Sequence, residues 1–350
     1  MSRSHRSSAL ASLLAAGAAV VLAAGLSGCA GTAEASNESP ESGAAVERKT
    51  LVLQDSTSYT QLPLRFGVEK GFFDDEGLDV EFTQVQDAVT GVATGEITLA
   101  FGPTSNYLRA AALGSPIKIV SSAFRSKGPF WLIARDGIDS VEDLAGKTIN
   151  NVAAGSSMET YLVKILEESG VSRDDVTFVN TGTADQAYGS ILAGTVDASI
   201  IHQPFPALGE IEGETTTLAR GWDFLPSYHT GVLIASDATI SDDPELLERA
   251  LRAYFTTYTY TKEHYDEYLP WLQDQLDTID PEAVAQAIEA EDEIWDNNPD
   301  VDFDAIADTQ EIEIAVGNQE EEYDAEKFID LRFIPQEFVK PFSSPEPKAK

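Results

Sequence analysis

Cysteine and basic residues are scarce in this chain of 350 residues. It has one Cys, and 23 Lys and Arg stand against 59 Asp and Glu, which gives a formal net charge of −36. A single Cys excludes an internal disulfide, a thiolate zinc cluster and an iron–sulfur cluster ligated by this chain alone. The large negative charge repels polyanions, so nucleic acid is not expected as a partner.

Catalytic and metal-binding motifs are also missing from the sequence. Beyond the first segment, His occurs only at His202, His229 and His264, with no HExxH pair. No G-x-S-x-G, G-x-G-x-x-G or Walker pattern is present. The acidic runs at 291–293 and 320–322 are interpreted as solvated faces. We therefore expect no cofactor, no metal and no enzyme activity.

A long apolar run occurs near the N-terminus. Arg3 and Arg6 precede the apolar residues 9–25, which have the charge and length of a secretory signal. The following Leu-Ser-Gly-Cys at 26–29 resembles the bacterial lipobox, in which the Cys receives diacylglycerol. We predict a lipoprotein signal peptide at 1–28, a lipidated Cys29 that anchors the chain to the outer face of the cell membrane, and a flexible tether at 29–48.

Short apolar or β-branched runs alternate with amphipathic helical stretches from Lys49 onward, which predicts an α/β fold with mostly parallel sheets. The clearest predicted helix is Met158–Ser169, with Gly170 as its stop. From Pro244 to about Phe338 the chain is predicted to be mainly helical. The predicted strands are Thr50–Leu53, Leu78–Phe82, Leu99–Gly102, Ile117–Ser121, Trp131–Arg135, Thr148–Val152, Val176–Val179, Ala198–Ile201 and Gly231–Ala235.

Several motifs occur in an order that is typical of one protein family. They are EKGFF at 69–73, EGLDV at 76–80, ATGEI at 93–97, VEDLAGKTI at 141–149 and GTVDA at 194–198. Together they resemble the periplasmic solute-binding proteins of the nitrate, sulfonate, taurine and thiamine-precursor group. The sequence departs from that pattern at Thr98, where an acid is usual, and at His202 and Gln203, where sulfonate binders tend to carry Trp and an acid.

The resemblance implies a two-lobe periplasmic-binding-protein type II fold with a hinge between the lobes. Lobe 1 is expected at 49–133, lobe 2 at 134–235, and a return to lobe 1 with the C-terminal helices at 236–350. The chain would cross near 134–142 and return near 235–240. The implied function is an extracytoplasmic lipoprotein, a monomer, that captures a small nutrient in the cleft and delivers it to an ABC importer with its transmembrane subunits and ATPase.

The candidate ligand-binding residues follow strands or begin helices, because open α/β sheets bind ligands beyond the carboxyl ends of their strands. The start of the helix at Met158 is the sharpest candidate, since free N–H groups and hydroxyls there suit an anion, although Glu159 already supplies a negative charge. Helix capping, solvated turns and core packing are the alternative roles for this set. It comprises Ser58, Tyr59, Thr104, Ser105, Phe130, Gly155, Ser156, Ser157, His202, Gln203, Trp222 and His229.

The ligand class stays open at this level. Hydroxyls at a helix start favour a sulfonate, nitrate or carboxylate. Tyr59, Phe130, Trp222 and Asp55 favour an aromatic heterocycle such as a pyrimidine precursor of thiamine. An enzyme on the same fold is the remaining alternative.

Overall fold

The computed structural model describes residues 47–55, 59–151 and 154–342. The predicted signal peptide, Cys29, most of the tether and Ser58 lie outside these residues. Within them, short strands alternate with helices as far as residue 242, and longer helices follow. The strands are β1 (Lys49–Gln54), β2 (Leu78–Thr83), β3 (Ala100–Gly102), β4 (Ile117–Ser122), β5 (Trp131–Arg135), β6 (Thr148–Asn150), β7 (Thr177–Val179), β8 (Ala198–Ile201), β9 (Thr215–Arg220) and β10 (Val232–Ser236).

The helices confirm that the chain is mainly helical from Pro244, but the α-helices end at Ala315 rather than near Phe338. The α-helices are α1 (Leu62–Glu69), α2 (Phe72–Asp75), α3 (Ala88–Thr94), α4 (Thr104–Ala112), α5 (Ser157–Glu168), α6 (Ala184–Leu192), α7 (Phe205–Glu212), α8 (Gly221–Phe224), α9 (Asp237–Asp242), α10 (Pro244–Glu263), α11 (Tyr265–Gln275), α12 (Pro281–Glu291) and α13 (Phe303–Ala315). Beyond α13 the described chain forms short 3-10 turns and irregular segments.

Helix α5 shows how the local sequence sets an element. Ser156 accepts a hydrogen bond from the Glu159 N–H at the N-terminus, and Gly170 takes a left-handed φ of 76° just beyond the C-terminus. The apolar stripe that predicted this helix is buried against the five-stranded sheet. Strand β9 was missed because its Thr-rich sequence lacks an apolar run. It lies at the edge of that sheet, where fewer neighbours require apolar side chains.

The described strands form three sheets, and the pairing is mixed rather than mostly parallel. β1 and β2 pair in parallel, and a three-stranded sheet has the order β3-β10-β4 with β10 antiparallel to both neighbours. The five-stranded sheet has the order β7-β6-β8-β5-β9, in which β5 is antiparallel to β8 and β9. Each larger sheet thus contains one strand that runs against its neighbours.

These two antiparallel strands show where the chain passes from one sheet to another. β5 pairs with β8 from Trp131 onward, and β10 pairs with β3 from Val232 onward. The chain therefore passes between the sheets at 123–130 and returns at 221–231. We use lobe 1 for the elements around β1, β2 and the three-stranded sheet, and lobe 2 for those around the five-stranded sheet. Exact lobe boundaries stay a prediction.

The two crossing segments lie side by side. The Ala123 N–H donates to the Gly231 carbonyl at 2.9 Å, and the Thr230 N–H donates to the Ser126 carbonyl. Gly231 has a φ of 116°, and a Cβ at this position would collide with the Arg125 carbonyl oxygen. Only glycine combines this backbone conformation with such a close approach of two chains.

Two C-terminal helices pack on both lobes. In α12, Val284 and Ile288 pack with α1 and α11, whereas Ala283 and Ala287 pack against the lobe 2 residues around β5 and β8. In α13, Ile306 lies in the lobe 1 core, and residue 312 contacts the lobe 2 core. Helices α12 and α13 therefore contact the elements of both lobes.

Candidate functional site

A buried ion pair lies where the chain first crosses between the lobes. The Arg125 Nη1 donates to Glu291 Oε2 at 2.7 Å, and the two side chains are 2% and 3% exposed. Burying both charges is costly unless their remaining polar atoms are also satisfied. Among the described residues, however, Arg125 Nε and Glu291 Oε1 have no hydrogen-bond partner. One donor and one acceptor therefore remain available beside the pair.

His202 follows β8 and lies in the same region. Burial, reinforced by the Arg125 charge, lowers the pKa of His202 to about 4, so the ring is neutral at physiological pH. The ring hydrogen-bonds to the backbone of Pro129, which offers only a carbonyl, so the imidazole is the donor. His202 Nδ1 has no partner among the described residues, so it is left as an acceptor.

Tyr59 completes this group from the lobe 1 side. It begins the turn before α1 and is partly buried. Burial, with the Glu291 charge as a second cause, raises the pKa of Tyr59 well above its usual value. The phenol therefore keeps its proton and can donate it. We call Tyr59, Arg125, His202 and Glu291 the Arg125 cluster.

Glu291 corrects one expectation from the sequence. The run 291–293 was interpreted as a solvated face, but Glu291 is 2% exposed. It follows the buried Ala283 and Ala287 at intervals of four, so its side chain continues the apolar face of α12. That spacing is the signal that could have identified it. The second run, 320–322, is exposed as predicted.

The start of α5 is largely satisfied by its own residues. The Gly155 N–H donates to Glu159 Oε2 at 2.6 Å, and Ser156 caps the helix. Glu159 also pairs with Arg173 at 3.0 Å. The carboxylate of Glu159 therefore already occupies the place that was predicted for an anion. Ser157 differs, because its hydroxyl is buried and has no partner among the described residues.

The hydroxyls predicted to begin α4 bond to the second crossing segment. Thr104 Oγ1 lies 2.8 Å from His229 Nδ1, and the Tyr228 hydroxyl donates to Ser105 Oγ at 3.1 Å. His229 Nε2 lies 3.4 Å from Ser122 Oγ, and burial lowers the pKa of His229 to about 4. Pro103 occupies the N-cap position, so neither Thr104 nor Ser105 caps the helix.

Three further candidates pack into the core or cap a helix. Phe130 is 4% exposed, with its ring 5.0 Å from those of Tyr161 and His202. Trp222 is 3% exposed, lies edge-on to Trp131 at 5.0 Å, and donates its indole N–H to Glu293. Gln203 is buried, and its Oε1 accepts from a backbone N–H in α7. Phe130 also contacts the Arg125 cluster, through His202.

Asp55, one basis for the predicted heterocycle, bonds to Arg65 and to Gln84. Within the described residues, no group of three or more His, Cys, Asp and Glu is placed to hold a metal ion. No helix in the same part of the chain combines the length and apolar character needed to cross a membrane.

Comparison with solved structures identifies the fold. The periplasmic aliphatic sulphonate binding protein of Escherichia coli matches with a TM-score of 0.66 at 15% identity, covering 86% of this chain and 98% of that chain. The desulfurization enzyme DSZB matches with a TM-score of 0.62 at 18% identity, over 82% and 97% of the two chains. The chain thus has the periplasmic-binding-protein fold, which also occurs in an enzyme.

Comparison with protein families then identifies the family. The family model described as NMT1/THI5 like matches residues 60–268, more than half of the sequence, so this chain belongs to the NMT1/THI5-like family. A formylaminopyrimidine-binding protein of Halalkalibacterium halodurans is 29% identical over 214 residues, which are 59% of this chain and 64% of that protein. The match therefore spans less than two thirds of that relative's length.

Proposed function

We propose that this protein captures a small solute between its lobes and delivers it to an ABC importer. The observation that carries the proposal is the Arg125 cluster, whose residues come from lobe 1, lobe 2, the first crossing segment and the bridging helix α12. Buried polar atoms in native proteins normally have partners, so the available atoms of this cluster mark a place where a ligand can supply them. A ligand that contacts both lobes stabilises their closed arrangement.

The polar atoms of the cluster favour a neutral heterocycle with amino groups. Glu291 Oε1 and His202 Nδ1 accept hydrogen bonds, Arg125 Nε donates one, and Tyr59 adds an aromatic ring and a hydroxyl. An aminopyrimidine presents N–H donors beside a ring nitrogen acceptor, which matches this set. The relative named for binding a formylaminopyrimidine supports the same class.

An anionic ligand fits the described site less well. The positive charge of Arg125 is already paired with Glu291, and Glu159 holds the N-terminus of α5. A sulfonate or nitrate would meet these carboxylates without an unpaired buried cation to balance them. A sulfonate-type ligand is therefore the second candidate.

A calorimetric titration of the purified protein tests the ligand class. Formylaminopyrimidine should bind with a dissociation constant of about 1 μM or below, which corresponds to about −8 kcal/mol. Taurine, an alkanesulfonate and nitrate should bind at least a hundredfold more weakly. Tight binding of a sulfonate with no binding of the pyrimidine would contradict the proposed class.

Two matched variants of α12 test whether the cluster holds the ligand. Glu291→Gln replaces one acceptor oxygen by a donor and should weaken pyrimidine binding at least tenfold, about 1.4 kcal/mol. Glu289→Gln makes the same change at an exposed position of the same helix and should leave the affinity unchanged. Equal affinities of both variants and the wild type would remove Glu291 from the site.

The membrane anchor is a further part of the proposal. Cys29 follows the apolar segment, and the tether at 29–48 would let the body reach a permease at the outer face of the membrane. Labelled palmitate should be incorporated into the wild-type chain and not into Cys29→Ser. The variant should still bind its solute, because the described body does not include this residue.

Mass spectrometry separates binding from catalysis. A solute-binding protein should return its pyrimidine unchanged after prolonged incubation, in an amount equal to that added. The shared fold of a desulfurization enzyme makes this control necessary. Conversion of the ligand would show enzymatic activity instead.

A further inference from the structure

A second polar cluster joins the lobes on the side of α13. Glu313 is fully buried, and its Oε1 accepts hydrogen bonds from Thr160 Oγ1 at 2.7 Å and from the Tyr228 hydroxyl at 2.5 Å. Its other carboxylate oxygen has no partner among the described residues. Both hydrogen bonds to this carboxylate therefore come from hydroxyl groups, and both reach the same oxygen.

The hydroxyls lie in lobe 2, whereas the carboxylate lies on α13, which packs on both lobes. Thr160 lies on α5, and the Tyr228 ring packs in the lobe 2 core with its centroid 5.2 Å from that of Tyr161. Helix α13 is anchored in lobe 1 by Ile306, which packs with residues of β4 and β10. Moving α5 away from α13 must therefore break the Thr160–Glu313 hydrogen bond.

Neighbouring contacts follow the same pattern. The Asn318 side chain donates to Thr160 Oγ1 at 3.1 Å, and Arg109 donates to the Asn318 carbonyl at 3.0 Å. Arg109 also approaches the Gly155 carbonyl at 3.4 Å. Thr160 is thus the lobe 2 group on which a side chain of α13 and a side chain of the segment after α13 converge.

The energetics of a buried carboxylate give Thr160 its importance. A buried charge is stable only while its hydrogen bonds are made, and removal of one donor leaves it poorly satisfied. Opening the lobes would expose Glu313 to water and remove that penalty. Loss of the Thr160 hydroxyl therefore shifts the balance towards the open arrangement.

We infer that Thr160 and Glu313 are positioning residues that set the closure of the lobes, and through it the ligand affinity, without touching the ligand. The inference rests on the proposed solute-binding function. It differs from that proposal in predicting an effect on the unliganded protein. It also predicts that every ligand is affected by the same factor, because only the closure equilibrium changes.

Distance measurements between spin labels test closure without any ligand. Leu113→Cys in lobe 1 and Leu192→Cys in lobe 2 provide exposed labelling positions in the full chain carrying Cys29→Ser. Thr160→Val should move the distance distribution towards longer separations. Thr261→Val makes the same change at an equally buried position, where the hydroxyl bonds within α10, and should leave the distribution unchanged.

Two additional variants separate positioning from a general structural role. Thr160→Ser keeps the hydroxyl and should restore the wild-type distribution. The double variant Thr160→Val with Glu313→Leu removes the buried charge and should recover part of the closed population. In a titration with formylaminopyrimidine, Thr160→Val should bind about tenfold more weakly, mainly through faster dissociation.

Superimposable distance distributions for Thr160→Val and the wild type would overturn the inference. If Thr160→Val fails to fold, the double variant decides the question, and a folded double variant without any closed population would overturn the inference. A wild-type protein that binds no pyrimidine would instead overturn the proposed ligand class. The spin-label distances would still decide the role of Thr160.

Discussion

The start of α5 and the Arg125 cluster differ in how their polar groups are satisfied. At the start of α5, Glu159 accepts from the Gly155 N–H and Ser156 accepts from the Glu159 N–H. In the Arg125 cluster, three buried atoms have no partner among the described residues. The start of α5, which has the stronger local motif, therefore leaves fewer polar atoms for a ligand than the Arg125 cluster does.

The same contrast separates the two buried His residues. His229 has a neighbour at each ring nitrogen, Thr104 and Ser122, whereas His202 leaves Nδ1 without a partner. Burial lowers the pKa of both rings to about 4. Burial alone therefore does not distinguish a structural His from a candidate binding residue, but the hydrogen-bond partners do.

The largest effect should come from breaking the ion pair of the Arg125 cluster. Arg125→Met leaves Glu291 buried without its partner and should reduce the free energy of unfolding by about 3–5 kcal/mol. Urea denaturation monitored by circular dichroism measures the change. The pair of Arg332 with Asp330 offers the control, because the Arg332 side chain is 71% exposed and Arg332→Met should cost far less than Arg125→Met. Similar losses in the two variants would contradict the special position of Arg125.

The next effect concerns pH. Below pH 6.5 the unfolded chain takes up protons on His202 and His229, whereas the folded protein keeps both rings neutral down to about pH 4. Stability should therefore fall as the pH drops from 6.5 to 4, by about 3 kcal/mol for each residue. His229→Gln and His202→Gln should each flatten the curve of unfolding free energy against pH. A curve of unchanged slope in both variants would contradict the assignment.

A smaller effect is expected at the crossing of the two segments. Gly231→Ala forces a side chain into a left-handed backbone position against the Arg125 carbonyl, so it should destabilise the fold by about 1–3 kcal/mol. Gly71→Ala provides the control, because Gly71 also has a positive φ but a Cβ there meets no atom within 4 Å. Thermal melting of the two variants compares strain plus collision with strain alone. Equal melting temperatures would show that the close approach has no energetic weight.

The smallest effects separate the neighbouring serines of α5. Ser156→Ala removes the helix cap and should cost about 1 kcal/mol of stability with little change in ligand affinity. Ser157→Ala removes a buried hydroxyl that has no described partner, so stability should change little. If Ser157 contacts the ligand as predicted, its variant should bind the pyrimidine more weakly. Weaker pyrimidine binding by Ser156→Ala, with unchanged binding by Ser157→Ala, would indicate instead that Ser156 contacts the ligand.

Local patterns predicted the elements better than the site. The apolar stripe and the stop at Gly170 identified α5 to within one residue at each end. The β5 and β8 bounds were predicted correctly, but the antiparallel direction of β5 depends on which partners lie beside it. Strand direction is therefore decided by long-range pairing, which a short apolar run does not encode.

Candidate site residues were predicted by type and position in a loop. Tyr59 and His202 were recognised in this way, and both lie in the Arg125 cluster. Glu291 was assigned to solvent because acidic runs usually form exposed faces. Its burial depends on the packing of helix α12 between the lobes. Its ion-pair partner, Arg125, is 166 residues away in sequence, so no local pattern could indicate the pair.

The sequence by itself determined the order of the strands other than β9, the position of α5 and the membership of the NMT1/THI5-like family, because periodicity, caps and ordered motifs are local properties of the chain. The tertiary structure alone decided where the chain crosses between the sheets and which buried polar atoms have a hydrogen-bond partner. Those outcomes depend on contacts between residues far apart in sequence. Hydrogen-bond satisfaction is settled only when all the neighbours of a buried group are in place.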